Sequence, residues 1–325
     1  MRVALVGGAG LLGSALERAL DEGGDQVTVL DVRAPQGARA RFVPIDILRD
    51  DVRSALATCA PDVVVHLVAR VDPPSVGGRA AMRALHVEGT RRVVAAARAL
   101  SVRRCVLVSS SVVYGARPTN PVPLDESAPV APLAHFPYAV DKAAQEDVAR
   151  ATCGAVELVV ARPGILYGRG AKNYLTEILR RAPGVLPAID GARPLLDFVH
   201  TADVARALAG LVRAPQPITG AFNIASRAPI SFDEVARLAG LRVVDVPRRL
   251  LAPLLDVGAL FAPRTARAPS YILDHLMYPF VTDGGRIERE IGFRPSTTAA
   301  EALAEMLDRA PSSSAPTAHS APPPR

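Results

Sequence analysis

The chain has no tryptophan, and only two of its 38 basic residues are lysines, Lys142 and Lys172. Its three cysteines, Cys59, Cys105 and Cys153, lie far apart with no Cys-x-x-Cys or Cys/His ligand spacing. A disulfide framework and a zinc site are therefore excluded. The cysteines read as reduced core thiols of a cytoplasmic protein, and no metal is expected. No stretch approaches the ~18 uninterrupted apolar residues of a membrane span. The best candidate for membrane contact, 248–264, is interrupted by Pro253 and Asp256 and reads as a packed or pocket-lining helix. The first apolar run is short and glycine-broken, unlike the core of a signal peptide. Aromatic residues make up 4%, and the net charge of +6 is scattered along the chain. Without a basic patch or a stacking platform, nucleic acid is not an expected partner.

What is present is the composition of a globular protein, 49% hydrophobic and 22% charged over 325 residues. Residues 311–325 are rich in proline, serine and alanine and are expected to form a disordered tail. The first half alternates short apolar runs with helical stretches. "RVALVG" lacks the alternation of a half-exposed strand, as a strand buried on both faces does, and "QVTVLD", "RFVPID", "PDVVVHLVA", "RRCVLVSSS" and "VELVVARP" are further short β-rich runs. Between them lie helical patterns, among them 50–58, 79–100 and 138–152. This repetition predicts an α/β fold with a parallel sheet covered on both faces. After Arg162 proline and glycine become frequent, but "LLDFVHTADVARALAGL" and "AFNIAS" read as returns to the sheet.

"GGAGLLG" places Gly7, Gly10 and Gly13 at the first strand–helix junction, with Leu11 and Leu12 between the last two. Glycines there allow a tight turn and let backbone N–H groups approach a pyrophosphate. Asp31 ends the second strand, where a carboxylate accepts from ribose hydroxyls and repels a 2′-phosphate. The expected cofactor is therefore NAD, with NADP less favoured despite nearby Arg33. Asp46 and Ile47 end the third strand, where an adenine would lie. Leu67, Val68 and Ala69 end the fourth, along the same path, and His66 reads as a core histidine.

Tyr138 and Lys142 lie one helical turn apart on a shared face. An ammonium beside a phenol lowers the phenol pKa and suits it to move a proton while hydride moves at the adjacent carbon. A chance Tyr-x-x-x-Lys in a chain with six tyrosines and two lysines has odds of roughly 4%, which favours the functional reading. In a chain that otherwise uses arginine, a lysine here is informative. Ser109, Ser110 and Ser111 follow the fifth strand, where ligands bind in open α/β sheets.

Together these residues resemble the extended short-chain dehydrogenase/reductase family, in its NAD-dependent epimerase/dehydratase branch. The matching pieces also include "HLVA", "VSSSVVYG", "ARPGILYG", "DFVHTADVA" and "FNIAS", in the family's order over roughly residues 2–245. The resemblance implies a Rossmann doubly wound parallel sheet with a smaller, discontinuous C-terminal substrate lobe. Residues 1–165 with about 195–225 would form the first, and 166–194 with 226–310 the second. It implies Tyr138 as the catalytic acid/base, Lys142 as its pKa partner and nicotinamide-ribose ligand, and Ser110 as the substrate-orienting hydroxyl, with Ser111 as runner-up. Pro163 falls where the family lines the nicotinamide pocket. A homodimer is a possible assembly.

The departures fall mostly on the substrate side. Ile165 stands where sugar-nucleotide epimerases carry an asparagine, and Leu196 where they carry an arginine, with Arg193 near enough in sequence to substitute. His86 replaces an asparagine near the cofactor. A nucleotide-sugar epimerase or dehydratase is the leading expectation. A dehydrogenase or reductase of an apolar alcohol or ketone, similar to 3-beta-hydroxysteroid dehydrogenases, is the alternative. A non-catalytic NAD sensor is disfavoured by the intact Tyr138, Lys142 and Ser110.

Overall fold

The short apolar runs form one parallel sheet in the computed structural model, which describes residues 1–37, 39–71, 77–171, 179, 184–253 and 273–307. The sheet contains β1 (Arg2–Val6), β2 (Gln26–Asp31), β3 (Arg41–Pro44), β4 (Val63–His66), β5 (Arg104–Val108) and β6 (Glu157–Pro163). Three short strands follow, β7 (Ile165–Tyr167), β8 (Val185–Ile189) and β9 (Leu195–Leu196), then β10 (Phe198–His200), β11 (Gly220–Ile224), β12 (Ile230–Ser231) and β13 (Arg242–Val246). The seven-stranded order is β11-β6-β5-β4-β1-β2-β3. Chain direction along the sheet reverses between β1 and β4, and a crevice at that switch point is where dinucleotides bind in this architecture.

Period-2 alternation divides the core between the two faces. Val3 and Leu5 pack on one side with Leu16 and Leu20 of α1 (Leu11–Asp21) and with Val204, Leu208 and Leu211 of α5 (Thr201–Arg213). Ala4 and Val6 face the other side. There they meet Leu56 of α2 (Val52–Ala57), Val93 and Val94 of α3 (Gly78–Ala99) and Ala149 of α4 (Pro137–Thr152). Pro137 opens α4, where its fixed φ and missing N–H cost nothing.

A second core joins Tyr167, Leu186, Phe198 and Leu196 to Phe232 of α6 (Phe232–Ala239), Leu276 of α7 (Leu273–Met277) and Leu303 of α9 (Ala299–Met306). Between the last two lies α8 (Gly285–Ile291). The segment "LLDFVHTADVARALAGL" divides its contribution. Its helix α5 covers the main sheet as expected. Its strands instead pair with β7 and β12 in separate two-stranded ladders, because they seal the second core. "AFNIAS" does return to the main sheet, as β11 beside β6. Residues 311–325, most of the apolar "LLAPLLDVGALFAP" run and Lys172 lie outside the described residues.

Candidate active site

The carboxyl ends of β1, β4, β5 and β6 open into a cavity of about 520 Å³. A cleft of about 720 Å³ around Met1, Arg2 and Arg213 lies at the opposite end of the strands, away from Tyr138 and Lys142. The chemistry therefore belongs to the smaller cavity.

Its floor is the glycine loop. Gly7, at φ +81°, makes the turn out of β1, and a Cβ there would lie 2.6 Å from Val68 Cγ2. A Cβ on Gly13 would lie 2.3 Å from the Gly8 carbonyl oxygen, so α1 approaches the loop closely only because residue 13 is glycine. Gly10 caps α1 with open space around it. Gly7, Gly10, Leu11, Leu12 and Gly13 line the cavity together with Leu67, Ala69 and Pro163. Backbone N–H groups at a helix start suit a diphosphate. The cradle that added Cβ atoms would fill therefore fits a dinucleotide. Val68 packs beneath Gly7.

Asp31 ends β2. Its two oxygens accept from the N–H groups of Ala9 (3.0 Å) and Arg33 (3.2 Å), which ties the carboxylate to the glycine loop. Asp46 and Ile47 lie just beyond β3 and are not among the cavity-lining residues. Asp46 accepts from Leu48 N–H, and Ile47 is buried against Gly89.

The Tyr-x-x-x-Lys pair sits in the first turns of α4, and both residues line the cavity. Lys142 is 1% exposed, with Nζ 5.8 Å from the Tyr138 ring centre. It donates to Val108 O (2.8 Å) and to Gln145 Oε1 (2.9 Å). Gln145 in turn donates to Thr90 Oγ1 (2.7 Å), which also bonds His66 Nε2 (2.8 Å). A buried polar chain thus fixes the ammonium's direction.

Burial pushes the Tyr138 phenol well above its ordinary value. Burial also pulls Lys142 down to about 7, although Glu146 nearby favours its charged form. Desolvation disfavours both charged forms.

The serine loop is anchored from behind. Ser109 Oγ donates to Glu146 Oε1 (2.6 Å), and Arg162 grips both oxygens of Glu146 at 2.9 and 2.6 Å. Arg162 also donates to Tyr114 Oη, which donates to Asn223 Oδ1. Ser110 lines the cavity together with Tyr138, and its Oγ accepts a long bond from Val112 N–H (3.4 Å). Ser111 is 1% exposed and lies outside the cavity wall, which separates it from Ser110.

Several wall residues gave no sequence signal. Phe136, Val112, His275 and Leu276 line the far side of Tyr138. His275 packs edge-on to Phe136 and Phe280, with centroids 5.6 and 4.9 Å apart. Gln145 and Glu146, three and four residues beyond Lys142, were legible in principle from helical spacing.

The substrate-side departures resolve differently from one another. Ile165 is in the cavity wall. Leu196 is buried in the second core and is not among the cavity-lining residues. Arg193 does not reach in; it bonds Asp233 at 2.8 Å and lies 3.6 Å from Asp245. His86 accepts from Arg70 N–H (2.9 Å) and so supports the backbone beyond β4. Burial pulls it down to about 4, which keeps it neutral for that task. Among the described residues, no cluster of three or more His, Cys, Asp or Glu is arranged to hold a metal ion, and no helix is long and apolar enough to cross a membrane.

Fold and site together define an extended short-chain dehydrogenase/reductase. Residues 3–225 match the model of the NAD dependent epimerase/dehydratase family, and the chain belongs to that family. It is 34% identical over 242 residues to a 3-diazoavenalumate denitrifying reductase of Streptomyces, covering 70% of this chain and 77% of that one. It is 35% identical over 164 residues to a UDP-glucose 4-epimerase of Mycolicibacterium smegmatis, covering 45% and 49%. The solved structure of MoeE5 with UDP-glucuronic acid and NAD superposes with a TM-score of 0.74 over 95% of this chain and 98% of that one, at 24% identity.

Proposed function

We propose that this chain binds NAD along the glycine loop and catalyses hydride transfer at a secondary alcohol or carbonyl, with Ser110, Tyr138 and Lys142 as its proton-handling set. NAD is assigned to residues 1–165 with about 195–225, and substrate recognition to the remaining lobe. One observation supports the reading most: the glycine loop, Pro163, Ser110, Tyr138 and Lys142 all line a single cavity. When bound, the dinucleotide supplies or accepts the hydride at the substrate carbon.

Ser110 Oγ and Tyr138 Oη hold the substrate oxygen. In reduction Tyr138 donates its proton to that oxygen; in oxidation it takes the proton back. A charged Lys142 offsets the phenolate that remains, and its third N–H is free for a ribose hydroxyl. Asp31 accepts from the adenosine ribose and selects NAD over NADP.

A nucleotide-sugar substrate is the second reading, favoured by the match to the UDP-glucose 4-epimerase and opposed by Ile165. The longer match to a named reductase favours net reduction. The free cysteines suit a reducing compartment such as the cytoplasm. A homodimer is the corresponding expectation for assembly, checked by light scattering of the full chain.

Tyr138→Phe tests the assignment. Turnover is expected to fall ~10²–10⁴-fold while NAD affinity, read by calorimetry, stays within about twofold. Unchanged turnover would remove Tyr138 from the mechanism.

A further inference from the structure

We infer that the substrate presents an uncharged, largely apolar body to this site, an aryl or alicyclic ketone or its alcohol, rather than a nucleoside diphosphate. The inference rests on the proposed roles of Tyr138 and Ser110 and adds the substrate class. Beyond Tyr138 the wall is Val112, Phe136, Ile165, Leu166 and Leu276, with His275 as its one ring nitrogen donor or acceptor. A diphosphate brings two negative charges, and burying them without partners is strongly unfavourable.

Among the described residues lining the cavity, Lys142 is the sole cation, and it is already turned to Val108 O and Gln145. Two arginines among the described residues of the lobe are committed to acids. Arg193 serves Asp233 and Asp245, and Arg248 serves Asp274 at 2.6 Å. The position from which an arginine would reach a phosphate is Leu196, 3% exposed inside the second core. Few convergent polar groups within apolar walls suit one reacting oxygen on a hydrophobic scaffold.

The test uses the full-length protein with NADH present and propionyl-dimethylaminonaphthalene, an uncharged naphthyl ketone whose emission reports the polarity around it. The expected result is saturable binding with blue-shifted emission that UDP and UDP-glucose do not displace. Neither nucleotide is expected to raise Tm. Ile165→Arg should weaken probe binding ~tenfold or more. Ile165→Asn, which is smaller and uncharged, should weaken it less and guards against a folding defect. Absence of saturable binding, displacement by UDP, or stabilisation by either nucleotide overturns the inference. Tyr138→Phe separates the two claims. If the probe binds but Tyr138→Phe keeps full turnover, the catalytic reading fails and the substrate class stands. If turnover falls but UDP displaces the probe, the reverse holds.

Discussion

The two halves of the cavity are built from different materials. The cofactor half is mostly backbone: a glycine turn, a helix start and strand ends, with side chains admitted only where they are small. The substrate half is side chains drawn from four separate places, around Val112, Phe136, Ile165 and Leu276. A backbone cradle tolerates few changes, because a new Cβ strikes main chain that cannot move. A side-chain wall can be rebuilt one residue at a time without disturbing the cradle. Substitutions in the first half should therefore damage cofactor binding and stability together, and those in the second should alter substrate choice alone.

The sharpest attempt to break this contrast is Gly13→Ala. The added methyl would meet the Gly8 carbonyl at 2.3 Å, a backbone contact with no flexible side chain to yield. We expect about 1–3 kcal/mol of destabilisation by chemical denaturation and loss of measurable NAD binding by calorimetry. Near-native NAD affinity would show that the loop is not the pyrophosphate cradle. Next in size is Asp31→Asn. It preserves an acceptor for Ala9 N–H, so the loop stays in place, but it removes the charge that repels a 2′-phosphate. The ratio of NAD to NADP affinity should fall ~tenfold, about 1.4 kcal/mol. An unchanged ratio would remove Asp31 as the discriminator.

The same contrast explains what was legible in the sequence. Gly7, Gly10, Gly13, Asp31, Tyr138 and Lys142 announce themselves through short spacings set by turn and helix geometry, and the parallel sheet through unbroken apolar runs. The substrate wall has no such spacing. Phe136 and His275 meet only because α7 packs against the start of α4, and no local pattern encodes that. Leu196 illustrates the limit. Its position in a family-like motif pointed to the substrate, whereas pairing of β9 with β12 turns it into the second core. Arg193 lies near Leu196 in sequence, but its partners Asp233 and Asp245 come from distant segments and hold it elsewhere. Helical spacing identifies the phenol–ammonium pair but says nothing of how deeply either group is buried. Burial depth, which decides the direction of both shifts, is a property of the whole fold.

The smallest expected effect concerns Lys142, which joins the two halves. It is pulled down to about 7 by burial, so the free enzyme loses its ammonium as pH rises through that value. If the charged form is the one that receives NAD, kcat/KM for NAD, which reports free-enzyme groups, should carry a descending limb near pH 7. Gln145→Glu places a carboxylate where Gln145 Oε1 accepts from Nζ at 2.9 Å. A negative neighbour favours the ammonium, so the limb should move to higher pH, whereas Gln145→Leu removes an acceptor and should move it lower. The same linkage has a stability signature. A lysine whose folded pKa lies below its unfolded value binds fewer protons in the folded state between the two, so its contribution improves as pH rises. The Tm of the native protein minus that of Lys142→Met should therefore increase from pH 7 toward pH 10. A flat difference, with a limb unmoved by Gln145→Glu, would mean that the buried chain from His66 to Lys142 holds position without setting charge.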